Sequence, residues 1–196
     1  MPRFRSAFSA PARLLAALSP TTRTLPVDSL TVVHRQSSID FENLPVQTLF
    51  HHLSPRRCCL ECPTPHLRPR IDLSSTDRWD RLEEIAFVRT TPQEQLVEAP
   101  FLHPSRGSPV KVIYDHRRLP RGAAGVRVWD KVVLDLVCGR RLASWPNWAV
   151  SGVAAEKRME RIREVEVLVS TEEDRTKLLA ALEGAKILQR TTIRVA

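Results

Sequence analysis

The sequence predicts an α+β fold, in which a small mixed sheet with helices on one face follows a long, proline-rich extended arm. Two segments, 109–115 and 164–169, alternate apolar and polar side chains as a half-buried strand does. After the second of them, residues 171–184 carry the acidic start, the leucine stripe and the terminal glycine of a helix. These observations predict an ordered domain in the C-terminal half of the chain.

We interpret residues 106–196 as a basic α+β domain. Its first strand, 109–115, and the apolar positions of 126–136 predict a β-hairpin with a long basic tip. Residues 146–163 then have apolar side chains at helical spacing. The domain is therefore expected to begin with a hairpin and a helix.

A β-α-β unit is expected to complete this domain. Strand 164–169 is followed by Ser170 and Glu173, which have the spacing of a capping box at the start of a helix. Gly184 is a typical residue just beyond a helix end, and 187–195 returns as a strand. Two strands joined by one helix predict a parallel pair with a right-handed crossover.

Residues 28–105 are interpreted as the extended arm. Nine of the fifteen prolines fall in residues 1–70, where no long periodic element is visible. Two short helices are predicted inside the arm, near 46–53 and over 76–88, and the second has the more regular amphipathic spacing. Such an arm would cross the surface of a neighbouring protein.

The N-terminal segment, residues 1–27, contains no Asp or Glu and is rich in Arg and Ser. Its aromatic and leucine side chains fall on one helical face. This composition is typical of a mitochondrial targeting segment and predicts a location in the matrix. The alternative is a basic tail that remains in the mature protein and contacts RNA. No uninterrupted apolar run reaches about 18 residues, so no transmembrane insertion is expected.

The charge of the chain points to an anionic partner. The net charge is +8 and 25 of the 30 basic residues are Arg, although codon usage in a GC-rich genome would give the same bias. No acidic residue lies between His116 and Trp129. Arginine clusters contact phosphates, so this basic stretch and the arginines after it predict RNA contact. The predicted RNA-binding residues are Arg117, Arg118, Arg121, Arg127, Arg140 and Arg141.

A cysteine pair provides the one candidate metal site. Cys59 and Cys62 have the two-residue spacing that lets two thiolates clip a metal ion from one turn, and His66 would supply a third ligand. Zinc is the metal that this set would hold. A second matched pair and a turn-forming glycine are missing from the segment. Free or buried thiols in a reducing compartment are the preferred reading.

The function that these observations favour is structural. The sequence has no Gly-x-Ser-x-Gly, phosphate-binding-loop, His-Glu-x-x-His or dinucleotide motif, so we expect no enzyme and no small-molecule substrate. We expect an RNA-binding component of a mitochondrial ribonucleoprotein, namely a ribosomal protein that contacts rRNA and neighbouring ribosomal proteins in a large hetero-complex. The alternative is a soluble-side accessory subunit of an inner-membrane respiratory or ATP synthase complex. A third reading is a matrix enzyme or metal-binding redox factor that uses Cys59 and Cys62.

Overall fold

The computed structural model describes residues 24–33, 44–62, 70–92, 96–117, 132, 133, 136 and 152–196. Within these ranges the elements are, in chain order, β1 (Leu25–Val33), α1 (Leu44–His52), β2 (Leu53–Glu61), β3 (Arg70–Ile71), β4 (Glu84–Val88), β5 (Thr91–Pro92), β6 (Val110–Asp115), α2 (Gly152–Met159), β7 (Ile162–Val169), α3 (Glu172–Leu182) and β8 (Thr191–Val195). Short 3-10 helices span Leu96–Glu98, Pro100–Leu102 and Lys186–Arg190.

Six of the strands form one sheet in the order β1-β2-β4-β6-β7-β8. Its five pairings are all parallel, and β3 and β5 form a separate two-stranded parallel pair. Strands that follow one another in this sheet are also neighbours in space. The chain therefore winds in one direction along the sheet and never doubles back within the described residues.

The strands recur at a nearly constant interval. Leu30 pairs with Cys58, Cys58 with Ile85 and Ile85 with Val112, so successive partners are 28, 27 and 27 residues apart. The next partner, Val165, follows 53 residues later, which is close to two intervals, and the pairing of β7 with β8 returns to 26. Parallel strands that recur at this interval, each joined to the next by a return segment over the buried face, describe a solenoid-like winding.

One face of the sheet is buried under the connecting segments. The inward-facing strand residues include Leu30, Val32, Cys58, Leu60, Ile85, Phe87, Val112, Tyr114, Val165, Val167 and Ile193. Phe50 from α1 and Leu178 and Leu182 from α3 belong to the same core cluster. The prediction of an α+β fold with helices on one face is thus confirmed in its coarse form.

The predicted β-α-β unit is confirmed, because β7 and β8 are parallel and α3 joins them. The helix cap differs by one residue from the prediction. The side chain of Thr171 accepts the backbone N–H of Asp174 at 3.1 Å, while the Ser170 hydroxyl donates to the carbonyl of Arg117. Gly184 follows the helix with φ 73°, a conformation that glycine adopts without steric cost.

The predicted hairpin is not formed by β6, and the described strands pair only in parallel. Strand 109–115 is confirmed as β6, but β4 and β7 pair with its two edges, both in parallel. No edge of β6 remains for an antiparallel strand from 126–136, and Val132 and Leu136 are helical and buried. Residues 118–131 lie outside the described part. The predicted helix 146–163 is observed only as α2, and 146–151 are not described.

The described residues of 28–105 do not form an extended arm, because they contribute β2, β4 and most of β1 to the sheet. Helix 46–53 is confirmed as α1, and the helix over 76–88 is wrong. Its second half is β4, where Ile85 and Phe87 alternate into the core. Of the predicted targeting segment 1–27, only the last four residues are described, and β1 begins among them. In the described ranges, no helix is long and apolar enough to cross a membrane.

Candidate functional site

The second face of the sheet, here called the open face, carries side chains that are exposed or only partly buried. It consists of Ser29, Thr31, Val33, Arg57, Cys59, Glu61, Glu84, Ala86, Val88, Lys111, Ile113, Asp115, Glu164, Glu166, Leu168, Thr192 and Arg194. These residues alternate with the core residues, since successive side chains of a strand point to opposite faces. All-parallel sheets normally have both faces covered, so a face left open among the described residues is the feature that a partner would use.

The centre of the open face is apolar. Strand register places Cys59 beside Ala86 and Ala86 beside Ile113 in one row across the sheet. Val88 and Leu168 stand in the next row, towards the ends of β4 and β7. All five side chains are partly exposed. This centre offers a partner a patch of small and medium-sized apolar groups.

An ion-pair cluster borders this centre on the β6 to β8 side. The Nζ atom of Lys111 lies 2.9 Å from Glu166 and 3.2 Å from Glu164, and Arg194 Nη1 lies 3.4 Å from Glu166. The hydrogen bond to Glu166 is the main cause that raises the pKa of Lys111. Glu166 is only 13% exposed, so its two cations stabilise a carboxylate that is largely removed from water. The cluster holds these side chains in one arrangement.

Two further ion pairs lie where the strands end. Arg89 is 2.7 Å from Glu61, and it reaches that carboxylate from a left-handed backbone with φ 57°, which is uncommon for a residue with a side chain. Arg117 donates from Nε and Nη2 to the two oxygens of Asp115, at 2.9 and 2.6 Å. The Arg117 hydrogen bond is the main cause that lowers the pKa of Asp115. Charged groups therefore frame the apolar centre.

The open face carries more acidic than basic residues, whereas the whole chain is basic. Five of its residues are acidic and three are basic, whereas the chain as a whole carries a net charge of +8. The acidic residues are Glu61, Glu84, Asp115, Glu164 and Glu166. Several of these carboxylates are paired with cations, among them Arg89 and Arg117 at the strand ends, so the open face has no excess of positive charge that would attract the phosphates of a nucleic acid.

The predicted RNA-binding arginines are mostly untested by the structure. Arg117 is described, and its guanidinium is already engaged with Asp115 at the end of β6. Arg118, Arg121, Arg127, Arg140 and Arg141 lie outside the described residues. Their contact with RNA stays a prediction.

The strand directs the two thiols of the predicted metal pair to opposite faces of the sheet, so the described residues do not bring them together. Cys59 lies on the open face, whereas Cys62 is fully buried on the core side and its N–H continues the sheet by donating to Val88. The two-residue spacing falls at the end of a strand and not on a turn. His66 lies outside the described part, within which no three potential ligands come together.

The thiol of Cys59 has a different role at the centre of the open face. Burial is the main cause that raises its pKa to about 11, and the nearby carboxylates of Glu61, Asp115 and Glu84 add to the effect. The thiol is therefore protonated and unreactive at neutral pH. A protonated thiol is a small, weakly polar group.

No family model, curated protein or solved structure matches this chain. Its functional interpretation therefore depends on the geometry of its own residues.

Proposed function

We propose that this chain is a non-catalytic scaffold that binds a protein partner across the open face. The observation that supports the proposal is the winding of the sheet, which buries one face under the connections and leaves the other free among the described residues. Solenoids present extended surfaces of this kind to their partners.

The dimensions and chemistry of the open face suit a protein element. Six strands spaced 4.7–4.9 Å apart give a width of about 24 Å, which accommodates one or two helices of about 10–12 Å diameter. An apolar centre within a charged frame is also the usual anatomy of a protein interface. The face offers a binding platform of ordinary interface character.

The side chains of the open face do not favour a catalytic role. Its acidic residues at Glu61, Asp115 and Glu166 are neutralised by cations, and the Cys59 thiol stays protonated. Carboxylates held in ion pairs and a protonated thiol do not provide an activated nucleophile. Binding without turnover is the function that they support.

A photo-crosslinking group placed at Ile113, at the centre of the open face, should yield one discrete adduct in the protein's native complexes. The partner would lie against this residue, whereas Leu179 is exposed on α3, away from the face, and should yield none. Mass spectrometry of the irradiated complexes identifies the adduct and the position that formed it.

The matched variant is Ile113→Arg. It should abolish co-purification of the crosslinked partner while it lowers the free energy of unfolding by about 1 kcal/mol or less, as for most substitutions of partly exposed residues. Equal adducts from positions 113 and 179, or unchanged co-purification of the variant, would contradict the proposal.

We further propose that the scaffold is a structural component of a mitochondrial ribonucleoprotein, most simply a ribosomal subunit in the matrix. Two sequence features support this setting: the acid-free, arginine-rich residues 1–27 and the net charge of +8. The partners would then be neighbouring ribosomal proteins on the open face and rRNA on basic surfaces elsewhere. The alternative setting, an accessory subunit of a respiratory or ATP synthase complex, shares the import signal.

Sedimentation of the tagged protein from detergent-lysed mitochondria separates these settings. We expect co-migration with a large particle that collapses after RNase treatment. Migration with an RNase-resistant membrane complex would support the accessory-subunit alternative. A protein absent from mitochondria, or a slow monomer, would contradict both settings.

A further inference from the structure

A basic cleft lies away from the open face, where β6 and β7 begin. Its volume is about 370 Å³. The loop of residues 104–109 forms one wall, and Lys157, Glu160 and Arg161 from the end of α2 and the following turn form the other. The cleft therefore joins segments that are about fifty residues apart in the sequence.

The loop wall is held in place by hydrogen bonds and close packing. The guanidinium of Arg161 donates to the carbonyl oxygens of His103, Gly107 and Ser108, at 2.5, 2.6 and 2.8 Å. Gly107 lies so close to the backbone of Asp80 that a Cβ atom at its position would be 1.7 Å from the Asp80 carbonyl oxygen. These contacts hold the backbone of the loop wall in place.

The opposite wall is held by the same kind of contact. Arg158 donates to the carbonyl oxygen of Val97 at 3.1 Å, and Arg190 donates to that of Ile162 at 3.0 Å. These two guanidinium groups bring further positive charge to the surroundings of the cleft. Both guanidinium groups are used in hydrogen bonds to the backbone, so they stabilise the fold.

Two cations of the cleft are available to a ligand. Arg106 and Lys157 are both exposed, and neither forms an ion pair in the part of the chain that the structure describes. Among the lining residues, Arg106, Lys157 and Arg161 are basic and Glu160 alone is acidic. The lining therefore has a net charge of +2, and two of its side chains can turn towards an anion.

We propose that this cleft binds the phosphate backbone of RNA, with Arg106 and Lys157 as the phosphate contacts. Lys and Arg that neutralise phosphates release counterions, which gives affinity without sequence preference. The choice of RNA as the polyanion rests on the ribonucleoprotein setting proposed above. A bilayer is disfavoured, since the exposed large apolar residues of the described part, Leu25, Leu179 and Val195, do not line the cleft.

The test is fluorescence anisotropy of the full chain with a labelled single-stranded RNA of about 12 nucleotides, between about 50 and 200 mM salt. The double variant Arg106→Gln/Lys157→Gln should weaken binding about tenfold and should reduce the slope of log Kd against log salt by about 1.4, since two phosphate contacts are lost.

The matched control is Arg175→Gln/Lys177→Gln on α3, which removes the same charge from exposed positions elsewhere and should weaken binding by about twofold or less. An equal loss of RNA affinity in the two double variants would contradict the proposal, because binding would then depend on net charge alone. If the wild type binds RNA and the cleft variant binds it equally well, the proposal that the cleft binds RNA is contradicted. The proposal of a ribonucleoprotein component is not contradicted by that result.

If the wild type binds no RNA in this range, the cleft proposal and its ribonucleoprotein setting both fail. Vesicles that contain phosphatidylserine are the second probe. If the protein binds these vesicles and does not bind RNA, the ligand of the cleft is a membrane surface and the proposal of RNA is wrong. Circular dichroism spectra of both double variants should match that of the wild type, because all four side chains lie on the surface.

Discussion

Replacement of Trp79 by alanine should lower the free energy of unfolding by about 3–5 kcal/mol, the usual effect of removing a fully buried tryptophan. Small domains have a total of about 5–15 kcal/mol, so the variant would be close to unfolding at physiological temperature. Urea denaturation followed by far-UV circular dichroism measures the change. The transition of the variant should shift to lower urea with a similar slope.

The expected effect follows from the position of Trp79 between three successive connections of the sheet. The side chain is 1% exposed, and its Nε1 donates to the carbonyl oxygen of Phe50 at 3.0 Å. Its ring meets that of Phe50 edge-on at 4.9 Å and stacks on Phe101 at 6.0 Å. Phe50 precedes β2, Trp79 precedes β4 and Phe101 precedes β6, so one side chain joins three turns of the winding.

Two variants separate the contributions of Trp79. Trp79→Phe keeps an aromatic ring but leaves the carbonyl of Phe50 without this donor, and it should cost about 1–3 kcal/mol. Leu179→Ala, at a position 38% exposed, should change the stability by about 0.5 kcal/mol or less. A loss of less than about 1 kcal/mol for Trp79→Ala would mean that the connections do not depend on this aromatic contact.

Local signals predicted the C-terminal elements because each of them is specified by adjacent residues. Strand β7 has an alternating pattern, and the acidic first turn and Gly184 mark the two ends of α3. The parallel relation of β7 and β8 then follows from a general preference of strands joined by one helix. The N-cap differed by one residue because Ser170 and Thr171 are both good capping residues, and local sequence does not decide between them.

The helix predicted over 76–88 failed because a short apolar run fits two periodicities. Trp79, Leu82 and Ile85 have helical spacing, whereas Ile85 and Phe87 have the spacing of a strand. The outcome was decided by parallel pairing with β2 and β6, whose partner residues are 27 positions away. An interaction at that distance is not visible in a local pattern.

The open face is also formed by this long-range pairing of strands. One pattern in the sequence could nevertheless have predicted it. Residues 82–87 and 162–167 both have buried apolar side chains at the first, fourth and sixth positions. Residues 27–32 have valine, leucine and valine at the same spacing. A search for this pattern at intervals of about 27 residues would have predicted a solenoid and assigned the alternate positions to its open face.

The basic cleft had no comparable signal. Arg106 and Lys157 are 51 positions apart, and Arg161, the residue that organises the loop wall, acts through backbone carbonyls that carry no sequence information. The predicted RNA-binding arginines are instead close together in the sequence, in the run from Arg117 to Arg127 and at Arg140 and Arg141. Folding brings a second group of cations together from distant turns of the winding.

Acidification should destabilise the protein through His116. This side chain follows β6 and is 1% exposed, and burial lowers its pKa from 6.5 to about 4, against a weaker opposing effect of Asp115. In the unfolded chain the imidazole binds a proton below about pH 6.5, whereas in the native state it remains neutral down to about pH 4. Stability from this group is therefore complete above pH 6.5 and falls as the pH approaches 4.

The measurement compares the free energy of unfolding at about pH 7.5 and pH 4.5 for the wild type and for His116→Gln. One pKa unit corresponds to about 1.4 kcal/mol, so the wild type should lose about 2–3 kcal/mol more than the variant over this range. His103→Gln removes an exposed imidazole and should retain the wild-type acid sensitivity. The lowered pKa of Asp115 acts only below its ordinary value of 3.8 and does not enter this range. Equal acid sensitivity of the wild type and His116→Gln would show that the imidazole is not buried in its neutral form, and that the core does not extend to the end of β6.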